Sequence, residues 1–311
     1  MRESEIIRLF MRRLKNQGDL PLGDDAGAIR LGDVWLVATD DMLVRKTDVP
    51  DIMTPEQVGF KAVTMNVSDV AAVGAKPLGF LFSLGVPWDV NEDYLEGIAE
   101  GIEKALEFYD VPVLSADTNE ADDLIIDGAA LGVTERPLTR SGAKPGDLVC
   151  VTGDLGRALA GYLVWREGLE APEKTLKVLY EKFLEPKARV REGIKLSGIA
   201  NSAIDVSDGL SKELHLLARM SGVRIELGSE SLPIRDEVIE VAGLLGKDPV
   251  ELALLSGEEF ELVFTVEPEK APSLDFDFSV IGRVVEGEGV YLDGKPLSPL
   301  GWEHMEHMNV Y

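Results

Sequence analysis

Carboxylates are the residues through which this chain could do chemistry. Asp24 and Asp25 follow Pro21-Leu22-Gly23 in a turn, and Asp40 and Asp41 stand side by side behind the apolar run Val34 to Ala38. Asp69 interrupts a helical stretch of small and apolar residues, and Asp117 follows a strand predicted over Val111 to Leu114. Asp205 and Asp208 straddle a turn into a helix predicted over Leu210 to Met220. Adjacent like charges repel, so such a pair is protonated or faces a cation. Mg²⁺ takes hard oxygen ligands and commonly binds substrate phosphates as well. Gathered together, these residues would suit metal-assisted phosphoryl transfer. Plainer readings stand beside that one: a solvated strand end for Asp40-Asp41, a cap or satisfied structural carboxylate for Asp69, and capping of the next helix by Ser207 or Asp208.

Composition narrows the partners. A net charge of −25 leaves no basic groove for a phosphate backbone, which argues against nucleic acid and against an anionic membrane surface. No run of ~18 apolar residues predicts a transmembrane helix. The single Cys150 has no CxxC partner and points to a reducing, cytoplasmic setting. The chain lacks the P-loop G-x-x-x-x-G-K-[ST] and the protein-kinase HRD and DFG set. With His215, His304 and His307 as its only histidines, it offers no plausible nucleophilic dyad, and the last two are weak evidence for zinc.

The elements that must position the aspartates are legible in outline. Thr54-Pro55 opens a helix through Gly59–Pro77, with Ala62, Val63, Val67, Val70 and Ala71 at helical spacing. Its small residues Ala71, Ala72, Gly74 and Ala75 let a backbone or a ligand come near. A carboxylate such as Asp69 in that setting costs several kcal/mol, on the order of transfer values, unless a partner meets it. Strands are predicted over Ala28 to Leu31, Val34 to Ala38, Phe80 to Val86 and Leu124 to Thr134, with a helix from Asn91 to Tyr109. Ser141-Gly142-Ala143-Lys144-Pro145-Gly146-Asp147 is turn-forming and divides residues 1–140 from 141–311. Helices and strands alternate on both sides, so the fold class is α+β or α/β in two domains.

Several motifs recur in the order of a known family: Gly23-Asp24-Asp25-Ala26, Thr39-Asp40-Asp41-Met42, Lys61 through Ala72, Ser115-Ala116-Asp117-Thr118, Leu138 through Asp147, Asp205-Val206-Ser207-Asp208-Gly209-Leu210, Ser256-Gly257-Glu258-Glu259, and Gly301-Trp302. The chain thereby resembles the thiamine-monophosphate kinases, of the superfamily that includes aminoimidazole ribonucleotide synthetase. That resemblance implies a homodimer whose N-terminal domains pair through mixed sheets around ATP sites, with a C-terminal α/β domain folding over each. It implies ATP-dependent phosphorylation of thiamine monophosphate to the diphosphate with several Mg²⁺ ions. Asp25, Asp40, Asp41, Asp69, Asp117, Asp205 and Asp208 then correspond to metal ligands, helped by Thr39. Ala116, Asp117, Arg140 and Ser207 correspond to nucleotide contacts, and Glu258 and Trp302 to contacts with the thiamine moiety. The chain departs from the family pattern at Asp48, a substrate-contact position where the family often has His, and at Ser115-Ala116, where it has Gly-Gly.

A phosphate monoester has its second pKa near ~6, so the acceptor oxygen is already ionised at neutral pH and no general base is expected. Positioning and charge neutralisation are what such a transfer requires. Another ATP-dependent enzyme of the superfamily, or a non-catalytic acidic metal-binding protein, are the alternative readings.

Overall fold

The computed structural model describes residues 3–14, 17–20 and 23–302. The first half runs α1 (Glu3–Met11), β1 (Gly27–Leu31), β2 (Val34–Val44), the short α2 (Arg45–Asp48), α3 (Pro55–Ala72), β3 (Lys76–Val86), α4 (Glu92–Tyr109), β4 (Val113–Glu120) and β5 (Ile125–Thr134). The second runs β6 (Leu148–Thr152), α5 (Arg157–Glu167), α6 (Glu173–Leu184), α7 (Val190–Leu196), β7 (Ser202–Asp205), α8 (Leu210–Ser221) and β8 (Arg224–Leu227). It continues through α9 (Asp236–Leu245), α10 (Pro249–Leu255), β9 (Leu262–Val266), β10 (Phe278–Val285), β11 (Gly289–Leu292) and β12 (Lys295–Pro296).

Each half builds its own mixed sheet. The first has the order β1-β2-β5-β3-β4, antiparallel except for the parallel β3/β4 pair. The second has the order β12-β11-β8-β10-β6-β9-β7, with β8/β11 parallel. The α+β two-domain architecture expected from the alternation of elements is present.

Helix α3 joins the halves. Thr54 caps it with a full capping box, its side chain accepting from Gln57 while the Gln57 side chain accepts from the Thr54 backbone. Buried residues occur on all its sides, because it lies between the first sheet, α4, and α7 and β7 of the second half. Val58, Val63 and Val67 share one core with Phe80, Ile98 and Ile126 of the first half and Phe183 and Leu184 of the second. The small residues serve neighbouring backbones: a Cβ on Gly193 of α7 would lie 2.1 Å from Ala71 O, so only glycine permits that approach.

Two predicted strands end elsewhere. β2 does not stop at Ala38 but continues to Val44, and β4 begins at Val113 and contains Asp117. Asp40, Asp41 and Asp117 are therefore residues within strands, not strand ends. Alternate residues of a strand face opposite ways, so Asp40 and Asp41 point to opposite faces of the sheet and cannot both meet one cation within this chain. The polar stretch continues as strand because it pairs residue for residue with β5, from Thr39↔Ala130 to Val44↔Ile125. The face turned from α3 leaves Ile29, Leu31 and Met42 exposed.

Candidate active site

The acidic residues converge where α3 meets both halves. Thr39 faces α3 from β2 and donates to Asp69 Oδ2 at 2.6 Å. One residue earlier on α3, Ser68 donates to Asp205 Oδ2 at 2.5 Å, at the end of β7. Asp25 enters from the turn before β1, held by Arg140 through Nη2 and Nε at 2.7 and 3.2 Å from Oδ1. Arg140 also donates its backbone N–H to Asp24 at 2.7 Å, so one residue between the two sheets fixes the whole turn. Carboxylate oxygens of Asp25, Asp69 and Asp205 lie within 4.8 Å of one another.

That arrangement is short of positive charge. Burial, then Asp25, push the Asp205 carboxyl up to about 8, and burial with Asp208 pushes Asp41 to about 7. Asp69 is raised well above the ordinary range by burial and by Asp205. Asp25 Oδ2 is buried without a hydrogen-bond partner. Desolvated carboxylates facing one another, one with an unsatisfied oxygen, fit a hard divalent cation, which would satisfy the orphan atom and restore the ionised forms.

A second cluster adjoins the first. Asp208 lies near enough to Asp41 to raise the affinity of the Asp41 carboxylate for protons, and Asp48 acts on Asp41 likewise. Lys212 donates to Asp208 Oδ2 at 2.6 Å and to Trp302 O at 2.7 Å, and Trp302 N donates to Asp208 O at 2.8 Å. The Ser207-Asp208 turn is packed tightly, for a Cβ on Gly257 would lie 2.7 Å from Ser207 O and one on Gly301 2.6 Å from Asp208 O. Neither Ser207 nor Asp208 is the N-cap of α8; that position is Gly209, which has no side chain to offer.

Other expected residues lie apart or already have partners. Asp40 and Asp117 are on the outward face of the first sheet, and Asp117 and Ala116 sit on exposed edge strand β4, three strand spacings or ~14 Å from β2. The Asp48 carboxylate accepts from Val44 N at 2.7 Å. His304 and His307 lie outside the described residues, and His215 faces the Ser211 and Leu297 carbonyls.

Three site residues escaped the sequence reading. Glu213 on α8 is buried and accepts from Asp208 N at 3.1 Å, and burial and Asp208 raise its carboxyl well above the usual range. Asp127 shares the outward face with Asp40, and its carboxyl is raised by burial and by Asp40. Lys61 of α3 is only 1% exposed, yet its ammonium lies 2.5 Å from Glu258 Oε1. The available signal was a charged residue at a core-facing helical position, which demands a partner.

The architecture is that of the AIR synthase related proteins: the N-terminal domain model of that family matches residues 23–134 and the C-terminal domain model residues 144–295. A thiamine-monophosphate kinase of Pyrococcus horikoshii is 56% identical over 98% of this chain and 97% of its own. One from Aquifex aeolicus is 38% identical over 97% of each. A solved structure described as AaThiL complexed with AMPPCP and TMP superposes with a TM-score of 0.91 at 37% identity, covering 97% of each chain. This chain belongs to the thiamine-monophosphate kinase family.

Proposed function

We propose that this protein transfers the γ-phosphoryl group of ATP directly to the phosphate of thiamine monophosphate, giving thiamine diphosphate and ADP. The observation that carries the proposal is the convergence of Asp25, Asp69 and Asp205 beside Arg140, with one carboxylate oxygen unsatisfied. Mg²⁺ held by Asp25, Asp41, Asp69, Asp205 and Asp208 would neutralise charge between two anionic phosphates. The chain's own residues provide the positioning. Arg140 locks the Asp24-Asp25 turn, Thr39 and Ser68 orient two carboxylates by donating to them, and Glu258 with Trp302 forms the wall for the thiamine moiety. No side chain is assigned as general base, since the acceptor phosphate oxygen is ionised already.

The division falls at 140/141, and both units contribute to one site. A homodimer pairing the outward faces of the N-terminal sheets would cover Ile29, Leu31 and Met42. It would also bring Asp40 and Asp117 opposite a second copy, where the resemblance places metal contacts, while Ala116, one residue along β4, faces the α4 side of the sheet. Light scattering on the purified protein should give twice the 33.9 kDa chain mass; a monomer at micromolar concentration defeats the pairing. The buried, unpaired Cys150 suits a cytoplasmic protein, and among the described residues no helix is long and apolar enough to cross a membrane.

Turnover is the test. Protein incubated with Mg-ATP and, separately, thiamine monophosphate, thiamine or formylglycinamidine ribonucleotide should form ADP and a diphosphate with the first alone. Failure with thiamine monophosphate refutes the assignment, and turnover of the ribonucleotide would transfer it to the synthetases.

A further inference from the structure

We infer that Lys61 is a positioning residue for substrate recognition, holding the Glu258 carboxylate in place at the junction of α3, α2 and the 256–261 loop. The inference rests on Glu258 contacting the substrate.

Lys61 is among the largest fully buried side chains of the molecule. Its ammonium donates to Asp48 O at 2.9 Å and lies 2.5 Å from Glu258 Oε1. For packing alone a methionine would fill this volume on α3 without the cost of desolvating a charge. The charge instead ties two other elements together: the end of α2, nearby in sequence, and a loop of the second half.

That loop is built to present one carboxylate. Glu258 and Phe260 both have left-handed backbones, with φ of 55° and 46°, each a conformation that costs about 1–3 kcal/mol. Their N–H groups are nonetheless fixed to Ser207 O at 2.7 Å and Val206 O at 2.9 Å. The flanking acids face inward. Glu259 accepts from Gly156 N, Ala158 N and Ser256 Oγ, while Glu261 is buried against Lys182, Arg189 and Thr152. Glu258 alone of the three remains partly exposed, its side chain at 36%.

Lys61 engages Oε1 and leaves the second oxygen to accept from a bound donor. It also neutralises the charge, so Glu258 recognises an N–H group, such as an exocyclic amine on a heteroaromatic ring, by geometry rather than by bulk attraction. Through Asp48 the same ammonium reaches the neighbourhood of Asp41 and Asp208, and so spans the recognition wall and the acidic cluster.

The test uses Lys61→Met, Glu258→Gln and the double variant, with folding checked by circular dichroism. Lys61→Met should raise KM for thiamine monophosphate about tenfold, the cost of misplacing one charge-assisted hydrogen bond, with KM for ATP changed less than about twofold. In the Glu258→Gln background it should add less than about threefold, because coupled residues are not additive. A fall in kcat alone, an equal rise in both KM values, or full additivity would overturn the inference. A readout without substrate separates this from the kinase assignment: Lys61→Met, but not Lys104→Met at an exposed position of α4, should speed amide hydrogen exchange at Glu258 and Phe260. If thiamine monophosphate is not turned over, the kinase reading falls. The exchange measurement then still decides whether Lys61 holds the loop, unchanged protection refuting it.

Discussion

Replacing Asp205 by Asn should stabilise the metal-free protein while abolishing its activity, a pairing that an ordinary structural carboxylate would not produce. Asp205 is 1% exposed, and its carboxyl is pushed from 3.8 to about 8 by burial and then by Asp25. Protons therefore bind the folded state more tightly than the unfolded one. The protonated carboxyl costs nothing extra below pH 4, but stability is lost as pH rises from about 4 to about 8, at ~1.4 kcal/mol per pH unit. At pH 8 the full penalty is on the order of 6 kcal/mol, an upper figure that relaxation and water reduce. Asn is nearly isosteric, keeps an oxygen for the Ser68 hydroxyl, and offers its amide to Asp25 or Asp69. Urea denaturation in EDTA should show the variant more stable than the parent by at least ~2 kcal/mol at pH 8 and indistinguishable from it at pH 4.5. Its kcat with Mg-ATP and thiamine monophosphate should fall at least ~100-fold, the scale of losing a metal contact. A variant less stable than the parent at pH 8 without metal, or one keeping more than a tenth of the activity, would refute the reasoning.

Magnesium affinity, measured by titration calorimetry, should rise from pH 6 to pH 8.5 as Asp41 and Asp205 lose protons near 7 and 8, with protons released in the lower part of that range; a flat profile would show that these groups are not ligands. Arg140→Lys keeps the charge but loses the fork that grips Asp25 and Gly23, and steady-state kinetics should show KM for ATP up about tenfold, an unchanged value removing Arg140 from the nucleotide site. Glu261→Gln leaves Lys182 and Arg189 facing a neutral amide in a buried site; urea melts should show a loss of about 3–5 kcal/mol, and a loss under 1 would mean water already screens the cluster.

Much of this protein was legible in its sequence because local rules govern what was read. The Thr54-Pro55 start of α3 and the Asn91 start of α4 follow from capping chemistry within a few residues. Asp69 could be singled out because a carboxylate in a run of small apolar residues is costly wherever the run packs. Which oxygens meet was decided only by tertiary structure. The register of β2 on β5 turned Asp41 toward α3 and Asp40 away, a distinction that a one-residue slip would have reversed. Glu213 and Lys61 are visible in the linear chain as charges at helical positions, but the partners they meet are not. They are buried because α8 and α3 are covered on both sides by elements distant in sequence, and the cost of burying a charge then forces each against its partner.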